Sequence, residues 1–264
     1  MERKRQKLRR WILSRTSRLH YIKLVYRSLL FLGALVLYII SRVRQEDMLF
    51  HGWENKYFLL DLIWLVYVVE MIFRYFPSPI ESMGCQKQFA RNYVPIDEPG
   101  AVPGRPNEKK TTLAVLAAWL ALNGLFGVLY FAGIFDRGIL LLISLAYSIC
   151  DMICILFFCP FQTWFMKNRC CTTCRIYNWD FAMMFTPLVF IPGLYTWSLL
   201  ALALGLLVVW EVLLHRYPER FYEHTNATLD CANCREKLCQ HKKQLQRFLK
   251  KYNFRRFAGK VLNR

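Results

Sequence analysis

Six stretches of the chain run almost without charge, separated by segments in which Lys, Arg, Pro and Gly concentrate; they cover about 24–41, 58–76, 112–133, 138–159, 181–196 and 198–215. They are apolar on every side rather than alternating, which points to helices and not to barrel strands. Runs of this kind reach across a hydrocarbon core of roughly 30 Å at about 1.5 Å per residue. A helix also satisfies its own backbone N–H and C=O groups where lipid offers no partner. The pattern predicts an all-α, polytopic membrane helix bundle with six transmembrane helices. Pro187 and Pro192 interrupt the fifth run, and each removes a backbone donor. Asp180 stands where it could cap that helix.

Charge sets the expected orientation. Lys and Arg number ten up to Arg27, five in the 77–111 loop, three in the 160–180 loop and thirteen from His215 onward. In a six-span path these segments share one side, whereas the other side holds only Arg42, Arg44, Lys56 and Arg137. Basic loops resist translocation, so both termini are expected in the cytosol. The first apolar run is long and lacks a small-residue cleavage site, so it reads as a retained span. The expected organisation is a basic N-terminal segment (1–23), a membrane domain (24–215) with inner loops 77–111 and 160–180, and a basic, Cys-containing tail (216–264). A plasma (inner) membrane fits this layout. The second half of the 77–111 loop is rich in Pro and Gly and reads as irregular. Its first half, Glu81–Tyr93, could form a short helix on the membrane.

All ten cysteines fall at or near the predicted inner side. An oxidised extracellular framework would place them outside, so a reducing compartment is expected. Two pairs have metal-ligand spacing, Cys171-Thr-Thr-Cys174 and Cys231-Ala-Asn-Cys234. Each Cys-x-x-Cys turn can aim two thiolates at one ion, and two turns complete a tetrahedral site. The fifth and sixth spans form a hairpin that returns the chain between the pairs, and Cys170, Cys239 and His241 lie nearby as spare ligands. The expected cofactor is structural zinc, with an iron–sulfur cluster as the alternative. Unliganded thiols or a dithiol switch are a third reading.

Acidic residues inside spans form a second candidate site. Glu70, Asp151 and Glu211 each lie about thirteen residues from the outer start of their helix, roughly 20 Å deep. Arg74 and His215 follow Glu70 and Glu211 by four residues, on the same helix face. Ionisable groups at such depth usually face the bundle interior or a water-filled cavity. Together with Asn123 they suggest a polar chamber that handles protons, cations or a small polar substrate. The bland alternative is pairing of each carboxylate with its own neighbour in the headgroup zone. The Glu70-x-x-x-Arg74 helix superficially resembles the second helix of voltage sensors, but no span carries repeated arginines and that reading is set aside.

The net charge of +18 would suggest nucleic acid in a soluble protein. Here residues 1–27 and 235–264 interleave their basic residues with apolar ones, which suits anionic lipid headgroups. In the tail, Leu238, Leu245, Phe248, Leu249, Tyr252, Phe257 and Val261 approximate a helical stripe. Nucleic acid is the less favoured partner, and a protein partner on the cytosolic face is compatible. No glycine-rich phosphate loop, His-Glu-x-x-His or Gly-x-Ser-x-Gly motif occurs. The glycosylation acceptor Asn226-Ala-Thr228 would face the cytosol unused. Three classes remain open: an ion or small-solute handler, an electron-transfer component, and a non-catalytic scaffold or assembly factor. The sequence does not decide whether the protein is an enzyme.

Overall fold

The computed structural model describes residues 14–45, 58–96, 104, 107–168, 170–234, 236–242, 244 and 247. Among them there is no strand, and one isolated bridge joins Pro95 to Asn226. The helices are α1 (Arg15–Arg44), α2 (Leu59–Arg74), the short α3 (Met83–Gln86), α4 (Glu108–Phe131), α5 (Arg137–Leu156), the short α6 (Asp180–Phe185) and α7 (Leu194–Arg216). Four of them, α1, α4, α5 and α7, are long and apolar enough to cross a membrane. The second expected span is the 16-residue α2.

The first helix is longer than the apolar run alone suggests. Ser14 caps it by accepting from the Ser17 N–H at 3.1 Å, and Gln45 ends it in the left-handed region. Residues 15–23 therefore belong to α1 and not to a separate basic segment. One face of α1 carries Ile22, Val25, Leu29, Leu32, Val36 and Ile39, all exposed. Their spacing of three and four places them in a single stripe. The opposite face buries His20, Arg27, Leu30 and Ala34, and it packs along α5, its most extensive neighbour. Small residues allow that approach: a Cβ on Gly138 of α5 would lie 2.5 Å from the Tyr38 ring. Asp136 caps α5, accepting from the Ile139 N–H at 2.8 Å, and also accepts from the Tyr38 hydroxyl at 3.0 Å.

The expected fifth span differs most. It is a six-residue helix followed by a 3-10 segment, Thr186–Phe190, with Pro187 near its start. Proline lacks the donor that would continue the helix. The break occurs inside protein: Phe181, Met184, Phe185, Leu188 and Ile191 are all buried. Side-chain hydroxyls supply donors that the backbone has lost. Ser144 Oγ donates to the Met184 carbonyl at 2.8 Å, Thr186 Oγ1 to that of Ala182 at 2.7 Å, and Thr196 Oγ1 to that of Ile191 at 2.8 Å. Irregular backbone is tolerated at membrane depth where neighbouring protein satisfies it in this way. Asp180 begins this helix but its side chain caps nothing; Arg74 engages it instead.

One end of the bundle is covered by a cap built from the 76–95 loop, the 157–179 loop and residues 217–242. Lys23 of α1 meets Glu81 at 3.0 Å. Lys87 Nζ donates to the Thr172 and Cys174 carbonyls at 3.0 and 2.9 Å, and Glu236 accepts from Ser82 Oγ at 2.9 Å and from the Met83 N–H. The segment expected to rest on a membrane surface is thus interior: Gln86, Lys87 and Gln88 are almost fully buried. The tail is likewise packed, with Ala227 N donating to the Val94 carbonyl at 2.8 Å and Leu238 buried. Asn226 of the glycosylation motif is fully buried and donates to the Arg220 carbonyl at 2.8 Å. The rest of the apolar stripe, Leu245 to Val261, lies outside the described residues.

Replacing Ser144 with Ala should lower stability in detergent by about 0.6–1.7 kcal/mol, the range of hydrogen bonds between membrane helices. Thermal unfolding of purified protein checks this, and an unchanged midpoint would mean the Met184 carbonyl does not need the hydroxyl.

Candidate functional site

The in-span charges are tied together by residues from other helices. Arg27, wholly buried on α1, reaches Glu70 of α2 at 2.6 Å and Asp151 of α5 at 3.2 Å, and donates to the Ser148 carbonyl at 3.0 Å. Glu70 and Asp151 are thus brought to one place, as their common depth suggested, with a guanidinium between them. Neither of the sequence-based i,i+4 pairs is the ion pair observed. Arg74 engages Asp180 at 2.7 Å and Asn178 Oδ1 at 2.9 Å. Glu211 receives both arms of Arg175, at 3.1 and 2.6 Å, and the Trp179 indole N–H at 2.7 Å. His215 is exposed, and Asn123 donates to the Trp119 carbonyl of its own helix at 2.9 Å.

These contacts account for the run Cys171–Asp180. Arg175 and Trp179 anchor it to α7, Asn178 and Asp180 anchor it to α2, and Trp210 of α7 donates to the Arg175 carbonyl at 2.8 Å. Tyr177 lies against Gly84, where a Cβ would come within 2.4 Å of the ring. Lys87 occupies the turn from below, with its ammonium over the Trp210 and Phe221 rings. The Cys171–Cys174 turn closes with a 3.0 Å backbone bond from Cys174 N to the Cys171 carbonyl.

Among the described residues, which include all ten cysteines, no three His, Cys, Asp or Glu side chains form a group that could hold a metal ion. Cys231 is exposed and Cys234 half-buried. The tail instead delivers Cys239 and Lys242. Cys239 Sγ lies 3.4 Å from Cys170 Sγ, and Lys242 Nζ donates to Cys171 Sγ at 3.0 Å and to the Cys154 carbonyl at 2.9 Å. His241 turns away to the Tyr21 hydroxyl at 2.7 Å.

The thiols differ in their ease of ionisation. Cys170 is held below the usual thiol range, chiefly by the hydrogen bond from Cys239, with Thr172 assisting against the opposing effect of burial. The same contact pushes the Cys239 thiol up. Burial raises Cys171 to about 12 despite Lys242, and its thiol donates to Gln162 Oε1 at 2.8 Å. A lowered thiol beside a second thiol is the arrangement that favours disulfide chemistry.

A cavity of about 250 Å³ opens beside these groups. Its wall includes Cys150, Cys154, Cys159, Cys171 and Cys174, the aromatic rings of Trp119, Tyr147 and Phe161, and the carboxylates Asp151 and Asp180. Cys150 and Cys154 come from α5 and Cys159 from the turn that follows it, and they line the same cavity as the Cys171 loop.

Comparison with protein-family models, with curated proteins and with solved structures finds no match.

Substituting Arg27 with Leu should cost about 3–5 kcal/mol, because it strands two buried carboxylates. Adding Glu70→Gln and Asp151→Asn should recover much of the loss, as read by thermal unfolding. A second expectation concerns pH. Burial raises Glu236 to about 7 from an ordinary 4.5, so the folded protein holds the proton more tightly. Its contribution is complete below about pH 4.5 and is lost as pH rises towards about 7. Stability should fall across that window in the wild type and fall less in Glu236→Gln, measured as the unfolding midpoint against pH.

Proposed function

We propose that the chain is a six-span protein of the plasma (inner) membrane, with both termini cytosolic, whose inner-face thiols carry out thiol–disulfide exchange. The topology is supported by the packing of α1's basic start, both long loops and the tail at one end of the bundle. An even number of crossings between these segments fits that common end, and supports counting α2 and the broken 180–190 segment as spans. The basic ends then face anionic headgroups.

The observation that carries the redox reading is the 3.4 Å approach of Cys170 Sγ to Cys239 Sγ across 69 positions of sequence. A disulfide needs about 2.05 Å, a short closure for two side chains on opposed loops. Cys170 is assigned as the nucleophile, since both the Thr172 hydroxyl and the Cys239 thiol lie within hydrogen-bond distance of its sulfur. It attacks a disulfide sulfur of a cytosolic protein or of glutathione disulfide, and one sulfur leaves as a thiolate that takes up a proton. Cys239 then loses its proton and attacks Cys170 in the mixed disulfide, releasing the second thiol. One external disulfide is reduced, and one forms in the protein.

The other readings have less behind them. For the zinc and iron–sulfur readings, no third ligand stands beside Cys171 and Cys174 among the described residues. Arg27 already supplies a counter-charge to Glu70 and Asp151, so we assign these two carboxylates to holding α1 in place.

The test is a titration of the purified protein in glutathione redox buffers, with alkylation and mass mapping. A reversible two-electron Cys170–Cys239 crosslink is expected, absent in Cys170→Ser and in Cys239→Ser. If both thiols remain alkylated under excess glutathione disulfide, the reading fails.

A further inference from the structure

A second cavity, of about 670 Å³, lies in the cap between the 77–94 loop, the first turn of α1 and the tail. Two acids, Glu81 and Glu236, line it together with the Arg91 guanidinium. Lys23 pairs with Glu81 at 3.0 Å. Glu236 has no basic partner among the described residues. It is only 3% exposed; its Oε1 accepts from Ser82 Oγ and from the Met83 N–H, while its Oε2 has no hydrogen bond. Arg91 is exposed and likewise makes no ion pair among the described residues. The two line one cavity and do not pair with each other. A buried carboxyl with an unused oxygen is costly unless something satisfies it.

The remaining polar wall favours donors on a ligand. Asn92 and Asn233 spend their amide N–H groups on the Gln86 and Ala227 carbonyls, at 3.0 and 2.9 Å, so each keeps its oxygen as an acceptor. Burial raises the Glu236 carboxyl to about 7, so it ionises near neutral pH, and a cation beside it favours the ionised form. One wall therefore suits a group with several N–H donors and a positive charge. Arg91 suits a phosphate. Pro77, Ser78 and Pro79 of the lining lie within five residues of the end of α2, and Phe73, Phe76 and Ile80 around them are exposed. In the proposed topology this sets the cavity at headgroup level, beside apolar side chains that meet the start of the acyl chains.

From this arrangement we infer that the cavity binds a phosphoethanolamine group, its ammonium against Glu236 and the two Asn oxygens and its phosphate against Arg91. Phosphatidylethanolamine and its soluble headgroup share this chemistry. The lipid source rests on the proposed topology. The binding itself uses no thiol and stands apart from the redox reading.

The test starts from the full chain in vesicles holding equal amounts of phosphatidylethanolamine and phosphatidylcholine. After extraction into detergent, native mass spectrometry counts the lipid retained. The two headgroups differ in methylation of the amine, so the comparison reads the N–H donors. One phosphatidylethanolamine per chain is expected, preferred about tenfold, the scale of a hydrogen bond to a charged group. Glu236→Gln should lose the preference, and Arg91→Ala should weaken retention. Thermal unfolding confirms that each variant is folded. A second arm titrates delipidated protein with glycerophosphoethanolamine and glycerophosphocholine by calorimetry, and does not depend on orientation in the membrane. Retained lipid that the soluble compound fails to displace assigns the lipid source. Binding of the soluble ethanolamine compound without retained lipid assigns the soluble source and leaves the topology unsupported by this site. Equal retention of the two lipids with no binding of the soluble compound overturns the inference, as does a preference that survives in both variants. The glutathione titration of Cys170 and Cys239 is scored separately, and its failure leaves this site standing.

Discussion

Two guanidinium groups buried in the bundle constrain everything around them. A charge removed from water must be matched closely, because the loss of hydration exceeds what one distant partner returns. Arg27 and Arg74 meet that demand with acceptors drawn from separate parts of the chain: α2 and α5 for the first, the Asn178–Asp180 turn for the second. The register of α1 against α2 and α5, and the position of the cysteine loop above α2, follow from these contacts. Aromatic faces add to the match, with Arg74 4.8 Å from the centre of the Phe181 ring and Arg27 5.6 Å from that of Tyr67.

The long helices were legible because a continuous apolar run has few other solutions in lipid. The shared location of Glu70 and Asp151 was suggested by the sequence, since helical rise converts position into distance. Their partner was not. Arg27 sits at the start of an apolar run among nine other basic residues, where the positive-inside rule accounts for it without any burial. Depth also carries no information about which way a side chain points around its helix, so Glu211, at the same level, could join a different network.

The cysteine pairing failed to show in the sequence for a similar reason. Cys-x-x-Cys spacing describes a turn, and says nothing of which other turn it meets. The tail reaches the Cys171 loop through Cys239 and Lys242, residues with no motif around them. Lys87 is the clearest case of a hidden role. A lysine in a polar loop reads as solvated, yet its ammonium fills the underside of the turn and binds two of its carbonyls. Only the fold brings those carbonyls to it.

In the proposed six-span topology, the broken segment at 180–190 bears on how the protein is made. It spans fewer turns than an independent hydrophobic anchor, and some of its carbonyl groups depend on Ser144 before it and Thr196 after it. A translocating chain emerges in order, so α5 is already in the bilayer when this segment leaves the ribosome, while α7 is not. Release of the segment into lipid before α7 arrives would expose polar backbone to hydrocarbon. The two therefore partition together, as a hairpin, and biogenesis commits the last third of the membrane domain in one step.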